Sequence, residues 1–201
     1  MGVRVIRESN EDEMVATFLL GELTSARFGP SIRVELAAAG LSEQLLTQAD
    51  LADETANRAR RDLLGATRGY GQGRWLFDED FPAGVRWVKA VLTPGELAKV
   101  RYIDYSYWNE LSGGSRLPVD AATRIRHGVS VFGVSNSRFI DAARAVARGE
   151  HFPPPILVGA GWASLVCLEG HLRLTAYALA KHSEDVECLI GTAPTMDRWA
   201  R

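Results

Sequence analysis

Between Leu165 and Lys181, in "LVCLEGHLRLTAYALAK", the apolar pattern changes period at a glycine. Leu165–Leu168 is an unbroken apolar run, the pattern of a strand covered on both faces. From His171 onward the apolar positions, Leu172, Ala176 and Leu179 with Leu174 and Ala178, take up helical spacing. A buried strand that passes directly into a helix excludes an all-α and an all-β fold for this part of the chain.

The flanking sequence extends that pattern. Pro153, Pro154 and Pro155 forbid a helix upstream. Ile156–Val158 then reads as a strand, Gly159–Trp162 as a turn and Leu165–Leu168 as the hairpin partner. Val186–Ile190 forms a last strand. Earlier, "VRWVKAVL" from Val85 alternates as a strand, Pro94 opens a helical turn, and residues 137–148 form a helix stopped by Gly149. The N-terminal part is helical: 9–26 with Ser9 or Asn10 as cap, short stretches at 31–39 and 42–48, and a helix from Asp50 to about Leu64. Arg58, Arg60 and Arg61 on that last helix read as a solvated face, with a ligand contact as the alternative. "GYGQG" at 69–73 lacks phosphate-loop spacing and reads as a connector. With a boundary in the Asp78–Gly84 stretch, the expected architecture is α+β. A helical subdomain, 1–84, precedes a domain, 85–201, with a small mixed sheet and packed helices.

The strand–helix junction concentrates chemistry: Glu169, Gly170, His171 and Arg173. Glycine permits a sharp turn and close approach to the main chain. The first amides of a helix suit an anion. Arg173 in the first turn opposes the helix dipole unless an anion sits there. The same spacing allows a plain ion pair between Glu169 and Arg173, worth about 0.3–0.5 kcal/mol when exposed.

This strand–"EGHLR"–helix arrangement, preceded by "PPPILV" and a hairpin, resembles the ParB N-terminal/sulfiredoxin-like superfamily over about residues 85–191. The corner reads Gly-Glu-Arg-Arg in ParB proteins, Gly-Cys-His-Arg in sulfiredoxins and Asp-Gly-His-His-Arg in the related free serine kinases. This chain looks closest to the last. Glu169 replaces the aspartate, Gly170, His171 and Arg173 match, and Leu172 departs from the second imidazole. The resemblance implies a phosphate held at Gly170, His171 and Arg173, with Glu169 and His171 in the catalytic set. His171 stands where sulfiredoxins carry cysteine, so their chemistry is not implied.

A second constellation is "IDYSYWNELSGGSR", in the region where the kinase-like members supply a catalytic glutamate. Asp104 and Glu110 are carboxylates suited to act as base or magnesium ligand. Tyr105, Tyr107 and Trp108 would wall a base or small substrate, and Ser115 with Arg116 would grip phosphate. The alternative is an ordered loop whose aromatics pack over the sheet.

Other classes are disfavoured. A net charge of −2 argues against a protein that lives on nucleic acid. No run approaches the roughly 18 apolar residues of a membrane span. The acidic start lacks a signal core, and Ile6 breaks the myristoylation pattern. Cys167 and Cys188 read as buried reduced thiols, so a cytoplasmic location is expected. His127, His151, His171 and His182 lack metal spacing, and no GxSxG elbow occurs. The expected function is a nucleotide-binding phosphotransferase or nucleotide hydrolase that uses ATP, ADP or CTP with magnesium on a small molecule. The alternatives are a non-catalytic nucleotide-sensing or DNA-associated ParB-like module, or a ParB-like nuclease.

Overall fold

The computed structural model describes residues 3–71, 75–77 and 79–200. Its elements run β1 (Arg4–Ser9), α1 (Glu11–Leu23), α2 (Gly29–Ala38), α3 (Gln44–Thr47), α4 (Glu54–Arg68), β2 (Trp75–Leu76) and β3 (Glu79–Asp80). They continue with β4 (Arg86–Leu92), α5 (Pro94–Leu97), β5 (Arg101–Tyr102), α6 (Ser106–Ser112), α7 (Pro118–Arg126) and α8 (Ser137–Ala147). Last come β6 (Ile156–Gly159), β7 (Val166–Glu169), α9 (His171–Ala180), β8 (Val186–Thr192) and a 3-10 turn, Pro194–Ala200. The protein is α+β, as its sequence predicts. No helix among the described residues is long and apolar enough to cross a membrane.

The chain divides into two units, Ser9–Val85 and Met1–Glu8 with Arg86–Arg201. The expected helical subdomain began at residue 1. Instead residues 4–8 are strand and join the sheet-bearing unit, because Arg4–Ser9 lies beside β4. Asp78 and residues 72–73 of the expected boundary and connector lie outside the described residues.

Within Ser9–Val85 the ends of the helices follow local chemistry. Asn10 caps α1 through the Glu13 amide, and Asp53 caps α4 through Thr55 and Ala56. Gly69, in the left-handed region at φ 78°, closes α4. Met14, Val15, Phe18 and Leu19 of α1 are buried. The expected solvated arginine face divides. Arg58 is exposed, and Arg61 pairs with Asp12. Arg60 is only 1% exposed and donates to the carbonyls of Leu45 and Asp50, at 3.0 and 2.7 Å, and to Asn57 Oδ1. Burial lowers its pKa from the ordinary value.

In the second unit a six-stranded mixed sheet runs β1-β4-β8-β6-β7-β5. β4 and β8 are antiparallel from Arg86↔Thr192 to Leu92↔Val186. β6 runs parallel to β8 and antiparallel to β7, and β5 is parallel to β7. The predicted hairpin is thus present, and its two strands are buried apart from Glu169. Val88, Ala90, Leu157, Cys167, Cys188 and Ile190 form one core with Leu111, Ile125, Phe139 and Leu174 of the helices. Both cysteines are free and buried, and burial pushes the Cys188 thiol up to about 12.

Candidate functional site

The corner forms as its sequence predicts, but its glycine serves the protein first. Gly170 has φ 104°, and a Cβ there would lie 3.1 Å from the Pro155 Cβ and 3.2 Å from the Arg173 Nε. Both the left-handed backbone and the close approach of the proline segment require glycine. The first α-helical bond of α9 runs from the Leu174 amide to the Gly170 carbonyl at 2.9 Å. The amides of residues 171–173 precede that bond and carry the positive end of the helix dipole.

Arg173 points inward. It is 5% exposed, pairs with Glu169, and donates to the carbonyls of Pro153 and Pro154, the latter at 3.3 Å. The proline run lacks backbone donors and cannot complete a strand ladder, so a guanidinium bonds the carbonyls it leaves exposed. Of the two readings of this spacing, the structure contains the ion pair, in a buried form. Glu169 is committed to the same cluster.

His171 faces the other way, since two positions on a helix are about 200° apart. Its ring stacks on Trp108 with centroids 4.8 Å apart and planes 12° apart, and lies 5.8 Å from Tyr102. The Ile103 amide donates to His171 Nε2 at 3.5 Å. Tyr102 is buried, its hydroxyl lies 2.7 Å from the Thr175 Oγ1, and burial raises its pKa.

Within the 104–116 segment Ser106–Ser112 is a helix, and residues 104–105 and 113–116 connect it to the elements on either side. Asp104 follows β5, is exposed, and accepts from the Asn109 side chain at 2.7 Å. Tyr105, 58% exposed, is the first boundary residue of α6. Trp108 packs between His171 and Phe139, while Tyr107 lies edge-on to Trp108 at 5.0 Å. The Arg138 guanidinium covers the Tyr107 ring at 5.3 Å. Glu110 is exposed and two positions beyond Trp108, so it leaves α6 on the side away from the imidazole.

Arg116 has φ 62° and is 8% exposed. Its Nε donates to the Tyr102 carbonyl at 3.0 Å and its Nη2 to the Trp199 carbonyl at 3.3 Å, while its own carbonyl accepts from the Tyr102 amide at 2.7 Å. Burial lowers its pKa, against the opposing pull of Asp104. Ser115 Oγ donates to the Ser112 carbonyl and accepts from the Leu117 amide. Arg116 thus closes the β5 edge, and Ser115 fixes the turn before it.

The structure therefore brings together Gly170, His171 and Trp108, and sets Ile103, the neighbour of Asp104, against the imidazole. It directs Glu169 with Arg173, and Arg116 with Ser115, into the fold, and it sets Glu110 apart. Sequence reasoning missed Tyr102, Ile103 and Asn109, which position the imidazole and the Asp104 carboxylate; the i,i+5 spacing of Asp104 and Asn109 is too common to serve as a signal. Among the described residues no group of three or more His, Cys, Asp or Glu gathers to hold a metal ion. A cavity of about 400 Å³, lined by Ile125, Arg126, Ile140, Ala143, Leu179 and Ala180 among others, lies away from this corner, between α7, α8 and α9.

Fold and site define an α+β domain with a mixed sheet and an aromatic-backed strand–helix corner. No protein-family model, curated protein or solved structure matches the chain.

Proposed function

We propose that the chain is a nucleotide-binding phosphotransferase or nucleotide hydrolase of the ParB/sulfiredoxin-like kind, acting on a small molecule in a reducing, cytoplasmic compartment. The observation that carries this reading is His171, the first residue of α9, stacked on Trp108 beside the segment that bears Asp104. Phosphoryl transfer needs positioning and charge neutralisation more than covalent chemistry. In this reading the α9 amides and His171 hold phosphate, Tyr105 flanks the base, and Asp104 orients the attacking hydroxyl or water. Arg173 and Arg116 support the site from within. Magnesium is held in such sites by one or two carboxylates together with substrate phosphates and waters. Asp104 alone fits that requirement, and Glu110, on the far side of α6, does not share it.

Equilibrium dialysis against ATP, ADP and CTP, with and without magnesium, tests binding, and phosphorus NMR with pooled amino acids tests turnover. His171→Ala is expected to weaken binding by about tenfold or more, the value of a charge-assisted hydrogen bond. Asp104→Asn is expected to spare binding and remove turnover. Absence of nucleotide binding at millimolar concentrations overturns the proposal.

A second reading, a nucleotide-sensing module without turnover, is favoured by the inward placement of Arg173 and Arg116. Binding with unchanged phosphorus spectra selects it. Retention of DNA in a low-salt gel shift would instead select the DNA-associated form, and cleavage of plasmid DNA with magnesium the nuclease.

A further inference from the structure

The two edges of the sheet differ in how they are finished. The β5 edge is two residues long and is already occupied, because Arg116 bonds both the amide and the carbonyl of Tyr102. At the opposite edge β1 is six residues long, contains no proline, and has no partner strand on its outer side among the described residues. An edge left in this state is a template for pairing with another chain. Val5 and Ile6, on opposite faces of β1, are 48% and 50% exposed.

The sequence of β1 is complementary to itself. Strands alternate their side chains, so Arg4, Ile6 and Glu8 share one face. In an antiparallel pair of identical strands centred on Ile6, Arg4 of each copy stands opposite Glu8 of the other, and Ile6 meets Ile6 on the two-fold axis. Only alternate residues turn their backbone groups outward, so the nearest other registers are slips of two, which place Ile6 opposite Arg4 or Glu8 and lose both charge pairs. The neighbouring charges extend the match: Arg4 already pairs with Asp185 at 3.3 Å, and Glu8 with Arg86 at 3.1 Å. Across the axis, the order Asp185, Arg4, then Glu8 and Arg86 of the second copy alternates in sign throughout.

From this we infer that β1 is the interface of a homodimer, in which two copies join edge to edge through antiparallel Arg4–Glu8 segments centred on Ile6. The partner is a second copy of this chain. A strand of this length covers less than the roughly 800 Å² per partner of a standard interface, so the dimer is weak and forms at micromolar concentrations.

Sedimentation velocity from about 5 to about 500 µM, a range that brackets such a weak equilibrium, is expected to show a concentration-dependent dimer that high salt dissociates. Glu8→Arg and Arg4→Glu are each expected to weaken it about tenfold, through two lost cross-strand pairs per dimer, and the double variant to restore it. Under mild oxidation Ile6→Cys is expected to form a covalent dimer, since directly opposed residues have disulfide spacing. Val5→Cys, offset from its own copy, is expected not to do so. Cys167 and Cys188 are buried and do not compete. A monomer at all concentrations with no crosslink above the Val5→Cys level overturns the inference. So does a dimer whose strength ignores both charge reversals.

Discussion

Arg60 in the helical unit and Arg173 in the sheet unit are both buried, and both bond main-chain carbonyls of segments ten or more residues away. They differ in what balances the charge. Arg60 is held by neutral oxygens, with Asp12, Asp53 and Asp50 acting from further away. Arg173 has Glu169 directly against it. A cation surrounded by neutral acceptors loses hydrogen bonds when removed; a cation in contact with a buried carboxylate leaves an uncompensated charge behind. Both arginines tie down neighbouring segments of the chain, but only the second is half of an ionic unit.

The largest expected effect follows from that difference. Arg173→Ala should destabilise the protein by about 3–5 kcal/mol in urea unfolding, because Glu169 is then buried without its partner. The double variant Glu169→Gln, Arg173→Met should cost clearly less than the sum of its single changes. An Arg173→Ala protein of unchanged stability would break the comparison and return the guanidinium to a ligand. Arg60→Ala is expected to cost less, about 2–4 kcal/mol, for two orphaned carbonyls. Here Asp12→Asn should produce little coupling, which separates a neutral staple from an ionic one.

Arg173 also acts on the sheet thiols. Burial raises the pKa of Cys167 and Cys188 while the nearby Arg173 charge lowers it, and for Cys188 the balance falls near 12 against an ordinary 9.0. The unfolded thiols ionise first as pH rises, so their contribution is complete below pH 9 and is lost as pH rises through 9 toward 12. Unfolding free energies at pH 8 and pH 10 should differ by about 1.4 kcal/mol for each thiol, and Cys188→Ala should flatten the dependence. The smallest effect is expected where both partners are in water. Arg144→Ala removes the Arg144–Asp141 pair, whose side chains are 69% and 68% exposed, and should change stability by less than about 0.5 kcal/mol. A larger change would show that exposure does not decide the value of these pairs.

Much of the fold was legible in the chain. The hairpin, α9, α8, β4 and the N-terminal helices follow apolar period, prolines and caps, which act over a few residues. β1, β5 and α6 carry no such local signal. β1 is charged and exposed along its length, and β5 has only two residues. In α6 the aromatic run and the following Gly113-Gly114 looked like a loop, because its helix rests on the stack of Trp108 against His171 and Phe139. At the candidate site the positions of Gly170, His171 and Asp104 were legible, but the direction of the guanidiniums was not.

The amino-acid sequence alone determined the α+β class and the turn of β7 into α9 at Gly170, since the period of the apolar positions and the backbone freedom of a glycine act over a few residues. Only the tertiary structure decided that Arg173, Arg116 and Arg60 bond inward while His171 lies against an indole. A long flexible cation goes to whichever unpaired carbonyls or carboxylate the fold brings within reach, and those of Pro153, Trp199 and Leu45 are placed by the packing of distant segments.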